Sequence, residues 1–94
     1  MANKLCALLS RTELRDLVDV AALEAAGHDP IAALSLAAQK DAGMTAAQLA
    51  WVLSTFPIKS FESGVFGPSQ AELETYRVSL LRRLEAAAFP GSTP

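Results

Sequence analysis

The chain has one cysteine, one histidine, one tryptophan and one tyrosine in 94 residues. The lone Cys6 excludes an internal disulfide framework and fits a reducing compartment. The lone His28 lacks the Cys/His neighbours that a metal site needs. β-Branched aliphatics are also scarce: valine and isoleucine together number seven. Alanine and leucine supply most of the 51 % hydrophobic content. They favour helices, whereas β-branched residues favour strands, so an all-α domain is expected. Basic residues are in deficit, 8 against 10 acidic, for a net charge of −2. The positive field that nonspecific phosphate binding requires is missing, and no nucleic-acid partner is expected of this chain alone. No uncharged apolar run reaches 18 residues, so no membrane span is expected. The start of the chain meets Arg11 and Glu13 soon after a five-residue apolar stretch, which does not read as a secretory signal. A cytoplasmic location is the resulting expectation.

Length indicates one domain. At ~0.05–0.15 kcal/mol per residue its net stability would be roughly 5–14 kcal/mol. Punctuation divides the chain into about five helices, packed as a compact irregular bundle. The first is expected over Ala2 to Ser10, with Leu5, Leu8 and Leu9 on one face. The second runs over Glu13 to Ala26, with Thr12 as N-cap and Gly27 as the left-handed residue past its end. Leu14, Leu17, Val18, Ala21 and Ala25 form its apolar stripe. The third is expected over Pro30 to Asp41, capped by Asp29, with Pro30 in the first helical position, Ile31, Leu34 and Ala38 facing inward, and Gly43 ending it. The fourth covers Ala46 to Phe56 behind a Thr45/Gln48 capping box, with Leu49, Val52, Leu53 and Phe56 inward. The fifth covers Gln70 to Ala88 behind a Ser69/Glu72 capping box, with Leu73, Tyr76, Leu80, Leu84 and Ala87 as its stripe. Ile58 to Pro68 is a long connection. Residues 1–89 read as a single helical domain and residues 90–94 as a flexible C-terminal tail.

The chemistry-bearing stretch lies in the first two helices. Lys4 sits near the start of helix one and Arg11 at the turn that follows. Helix two carries Arg15, Asp16 and Asp19. Asp16 and Asp19 are three residues apart and project to neighbouring positions, and Arg15 and Asp19, four apart, are spaced to pair. In a hairpin of the two helices, Lys4 approaches the same charged face. The plain reading of these residues is a solvated helix face with ion pairs worth ~0.2–0.5 kcal/mol each.

The order Lys4, Arg11, Arg15-Asp16, Asp19 resembles the C-terminal motif region of the AbiEii-type nucleotidyltransferases, which include toxins of type IV toxin–antitoxin and abortive-infection systems. Leu23 to Asp29, Gln39 to Gly43 and Leu49 to Leu53 resemble the helices that follow it, so the likeness covers about residues 3–57. It implies an enzyme whose other half is a polymerase-β-like fold, with a Gly-Ser turn for triphosphate and acidic ligands for Mg²⁺ on a strand. By this resemblance Lys4 faces nucleotide phosphates. Asp16 and Asp19 help position groups at the site, and Arg11 or Arg15 holds a phosphate or orients an aspartate. The sequence departs from the family pattern in having no Asp-x-Asp, and its one Gly91-Ser92 lies in the tail. The expected reading is therefore a helical accessory domain without its catalytic core, inactive alone. It has no catalytic residue in isolation, no metal site and no cofactor; Mg²⁺ and a nucleoside triphosphate belong only to a full-length relative.

Other residues leave a second class open: a free-standing helical interaction or dimerisation module. Trp51 lies about 100° from the fourth helix's apolar stripe. It either completes the core against helix five or faces a partner, where tryptophan is a favoured anchor. Phe61, Val65 and Phe66 pose the same choice. Together these four form the candidate interaction surface. The partner would be a second copy of the chain, or a separate nucleotidyltransferase core polypeptide whose active site this chain completes. Cys6 is expected to be a buried, inert thiol and His28 to be exposed in a turn. Arg77, Arg82 and Arg83, offset by Glu72, Glu74 and Glu85, read as a solvated charged face. Helices three and four are joined like a helix-turn-helix, but Ala46 to Phe56 contains no Lys or Arg with which to hold phosphates or read guanine.

Overall fold

Local termination signals set most of the helix boundaries. The computed structural model describes residues 1–11, 13–55 and 69–89. Five helices follow one another: α1 (Ala2–Arg11), α2 (Leu14–Ala25), α3 (Leu34–Lys40), α4 (Ala46–Ser54) and α5 (Gln70–Ala88). No strand occurs among the described residues, and the architecture is an all-α bundle. Helix α5 begins at a complete capping box. Ser69 Oγ accepts from the Glu72 N–H at 3.1 Å, and the Glu72 carboxylate accepts from the Ser69 N–H at 3.3 Å. The two otherwise unpaired donors are thus satisfied reciprocally. At α4 the Thr45 hydroxyl accepts from the Gln48 N–H at 3.0 Å.

Helix α2 ends in a Schellman turn. The His28 N–H donates to the Leu23 carbonyl at 3.0 Å and the Gly27 N–H to the Glu24 carbonyl at 2.9 Å. The chain turns through Gly27 at φ +105°, where a side chain would be strained. At its other end, the cap position is Glu13, whose side chain makes no capping hydrogen bond. The expected cap, Thr12, lies outside the described residues.

Helix α3 is shorter than its sequence suggests. Asp29 Oδ1 accepts from the Ile31 N–H at 2.9 Å, and Pro30 is buried, but Pro30 to Ala33 form a turn rather than the first helical turn. The Ala33 N–H reaches Asp29 O, whereas the Leu34 N–H reaches Ile31 O. The ladder therefore shifts from four-residue to three-residue spacing before regular helix sets in at Leu34. The inward residue of α3 is Ala37, not Ala38, which is exposed. Its end is set at Lys40, after which Asp41 is extended and its carboxylate accepts from the Gly43 N–H at 2.9 Å.

The core takes side chains from every helix: Leu5 and Leu8 of α1, Leu17 and Val20 of α2, Ala37, then Leu49 and Leu53 of α4, and Leu73, Leu80 and Leu84 of α5. Burying each leucine contributes about 1.5–3 kcal/mol. Helices α4 and α5 share the most extensive interface, α1 lies against α3 and α2, and smaller contacts join α1 to α4 and α2 to α5. The buried face of α2 differs from the expected stripe. Asp16, Leu17 and Val20 are buried, Leu14, Val18 and Ala21 only partly so, and Ala25 is exposed. The helix is turned by about one residue, which brings an aspartate inward. Of the α5 stripe, Tyr76 is half-buried and Ala87 exposed. The expected inward Phe56, the connection over residues 58–68 and the tail over residues 90–94 lie outside the described residues. No helix among the described residues is long and apolar enough to cross a membrane.

Candidate functional site

Helices α1 and α2 form a hairpin, and its facing sides carry the charges. Lys4 and Arg11 are seven residues apart, two turns on one face of α1. Asp16 lies in the first turn of α2, where the free N–H groups favour a carboxylate, and Asp19 lies one turn on. Folding α2 back on α1 brings four of the five motif residues together. Lys4 Nζ stands 2.8 Å from Asp19 Oδ2 and 4.0 Å from Asp16 Oδ1. Arg11 Nη2 donates to Asp16 Oδ1 at 2.8 Å.

Asp16 is the centre of this arrangement. Its side chain is 1 % exposed, while those of Lys4 and Arg11 are 40 % and 47 % exposed. A buried carboxylate must be paired to remain charged at tolerable cost. Here one oxygen is served by two cations and the other, Oδ2, is buried with no hydrogen-bond partner. The reading of all five residues as a solvated face therefore fails at Asp16. It holds at Arg15, though with a different partner from the expected Asp19. That side chain is 71 % exposed and turns to Glu13 at 2.6 Å, so it neither pairs with Asp19 nor joins the cluster. The four converging charges sum to zero, and the two cations are partly exposed while the second carboxylate oxygen is buried. Chemically the cluster is a pair of half-exposed cations held in place by an acid that solvent does not reach. Among the described residues no group of three or more His, Cys, Asp or Glu side chains is placed to hold a metal.

A second constellation joins α2 to α5. Arg83 donates to both oxygens of Glu24, Nη2 to Oε1 at 2.9 Å and Nη1 to Oε2 at 2.5 Å, and the Tyr76 hydroxyl donates to Oε1 at 2.7 Å. The guanidinium also lies 6.0 Å from the Tyr76 ring centre, within cation–π range. Hydrogen bonding from Arg83 holds the Glu24 carboxyl below its ordinary range against the opposing effect of burial, with help from Tyr76. Burial, then the bond to Glu24, pushes the Tyr76 hydroxyl up. Arg77 pairs with Glu74 and donates from Nη1 to the Leu53 carbonyl at 2.8 Å. Two members of the expected solvated arginine face are thus structural fasteners, and only Arg82 remains exposed without an ion pair among the described residues. The i, i+7 spacing of Tyr76 and Arg83 was visible in the sequence; their partner, 59 residues from Arg83, was not.

Trp51 does not complete the core. It is 62 % exposed, and with Ala47, Ala50, Ser54, Leu81, Glu85 and Phe89 it borders a groove of about 250 Å³ between α4 and α5. Phe61, Val65 and Phe66 lie outside the described residues. Cys6 is half-buried rather than buried, its Sγ 3.6 Å from the Ala37 carbonyl. His28 is exposed in the turn after α2.

Comparison with family models, with curated proteins and with solved structures finds no match to this chain.

Proposed function

We propose that this chain is a helical accessory domain of the kind found in AbiEii-type nucleotidyltransferases, inactive alone and completed by a separate catalytic core. One observation carries the reading. Four of the five residues that make up the motif resemblance, Lys4, Arg11, Asp16 and Asp19, lie apart in the sequence yet meet at one hairpin, and Asp16 is buried there with an oxygen unused. A purely solvated charged face has no reason to bury an acid. In the completed enzyme Lys4 and Arg11 would meet nucleotide phosphates, and Asp16 and Asp19 would fix their position. Mg²⁺ and the triphosphate would come with the core. Arg15 has no part in this version of the site. The free thiol of Cys6 suits a cytoplasmic location.

The test is nucleotidyl transfer from radiolabelled nucleoside triphosphate with Mg²⁺. The purified chain should transfer nothing. Mixed with a core polypeptide of the AbiEii type, it should raise transfer above that of the core alone, and Lys4→Ala, confirmed as folded by circular dichroism, should abolish the gain. Transfer by the chain unaided, or an undiminished gain with Lys4→Ala, would overturn the reading.

A further inference from the structure

The face shared by α4 and α5 carries a knob beside a hole. The knob is Trp51, more exposed than any other large apolar side chain in the described structure. The hole is the groove of about 250 Å³ next to it, floored by Ala47, Ala50 and Leu81, small and apolar enough to admit one aromatic ring system. The helix that bears the knob, Ala46–Ser54, contains no charged residue, so nothing on it repels a copy of itself. Val78, Arg82, Glu85 and Phe89 follow one another along one stripe of α5, at helical i, i+4, i+7, i+11 spacing, and of these Glu85 and Phe89 border the groove. Arg82 and Glu85 are both exposed, one turn apart, and neither makes an ion pair among the described residues. Every other arginine described in the chain has a carboxylate partner.

We propose that this face binds a second copy of the chain through a two-fold axis. Such an interface requires each surface to carry both halves of every contact. Trp51 of one copy enters the groove of the other, and the reverse. Arg82 of one copy meets Glu85 of the other, and the reverse, which gives two ion pairs from two charges that are unpaired in the single chain. A foreign partner would have to supply a complementary knob, hole and charge order; a second copy already has them. The patch is small, so the dimer belongs to the weak class with dissociation in the micromolar range. The proposal uses α4 and α5 and does not depend on the charged hairpin, so its failure would leave the accessory-domain reading standing.

Trp51 is the chain's only tryptophan, so its fluorescence reports on this face alone. Light scattering and emission are measured together from ~5 µM to ~500 µM, a range that brackets a weak dimer. The expected mass rises from 9.9 kDa towards about twice that, with emission shifting to the blue over the same concentrations. Trp51→Ala should remain at the monomer mass throughout. Glu85→Arg, which sets arginine against Arg82, should weaken dimerisation at least tenfold, and Arg82→Glu combined with Glu85→Arg should restore it. Any one of three results overturns the proposal: a monomer with unchanged emission at the highest concentration, a dimer that survives Trp51→Ala, or a double reversal that fails to recover.

Discussion

Removing the partner of Asp16 should cost more than removing the charge of Asp16 itself. In Arg11→Met the apolar stem remains but the guanidinium is gone, and the buried carboxylate keeps only Lys4, 4.0 Å away. A hydrogen bond to a charged group contributes about 1.5–3 kcal/mol. Breaking a deeply buried pair costs ~3–5 kcal/mol, but Arg11 is 47 % exposed and water can partly replace it. The expected loss is therefore about 2 kcal/mol. Asp16→Asn keeps the shape and an acceptor for Arg11, turns a charge-assisted bond into a neutral one, and relieves the desolvation of an oxygen that has no partner. These effects oppose each other, and the change should stay within about 1 kcal/mol. Urea denaturation reads both variants. For a chain of this size a slope near ~1 kcal/mol per molar makes the Arg11→Met midpoint fall by roughly 2 M, with the slope unchanged. If Asp16→Asn proved as destabilising as Arg11→Met, the carboxylate would be a net stabiliser and the account of the buried pair would be wrong. An Asp16→Asn variant that folds with near-normal stability yet loses the activity gain of the mixed assay would mark the aspartate as kept for chemistry rather than for the fold.

Two further predictions concern α2. Glu24 has a folded-state pKa below its ordinary value of 4.5, so in this region the unfolded chain binds more protons. The stability it contributes is present above that value and is lost as pH falls through the lower, folded one. Thermal melts of the native chain should therefore fall more steeply below pH ~4.5 than those of Glu24→Gln, which should start lower at neutral pH; parallel curves would remove the Glu24–Arg83–Tyr76 clasp from the stability account. Gly27→Ala should destabilise by about 1–2 kcal/mol, read as a lower melting temperature. The Schellman turn holds this residue at φ +105°, and nothing within 4 Å would otherwise oppose a methyl group. An unchanged melt would mean that the turn relaxes to another geometry.

Features encoded within four residues of themselves were legible in the sequence. The Ser69/Glu72 box placed the start of α5 at Gln70, and Gly27 placed the end of α2, because both signals act on their own backbone. Leu5, Leu8, Leu49, Leu53, Leu73, Leu80 and Leu84 were inward as their spacing requires. The inward face of α2 was read one residue off because an apolar stripe has no place for Asp16; only Lys4 and Arg11, on another helix, make its burial tolerable. The convergence of Lys4 with Asp16 and Asp19 was legible once a hairpin was assumed, whereas the turn of Arg15 towards Glu13 was not, since i, i+4 spacing made Asp19 an equally good partner. The start of α3 was misplaced because Asp29-Pro30 serves a turn as well as it serves a helix. The clasp of Glu24 with Tyr76 and Arg83 depends on which helices become neighbours, and no local spacing encodes that.

Helix α5 also works as a ruler. Arg77 grips the end of α4 and Arg83 grips the last turn of α2, and six residues of helix separate them by about 9 Å and about 120°. Single substitutions between these positions leave that offset intact. One residue inserted or deleted there would swing one grip by about 100° relative to the other, so α2 and α4 could not both be held. Between Arg77 and Arg83 the residues other than the buried Leu80 can change in kind, but their number cannot.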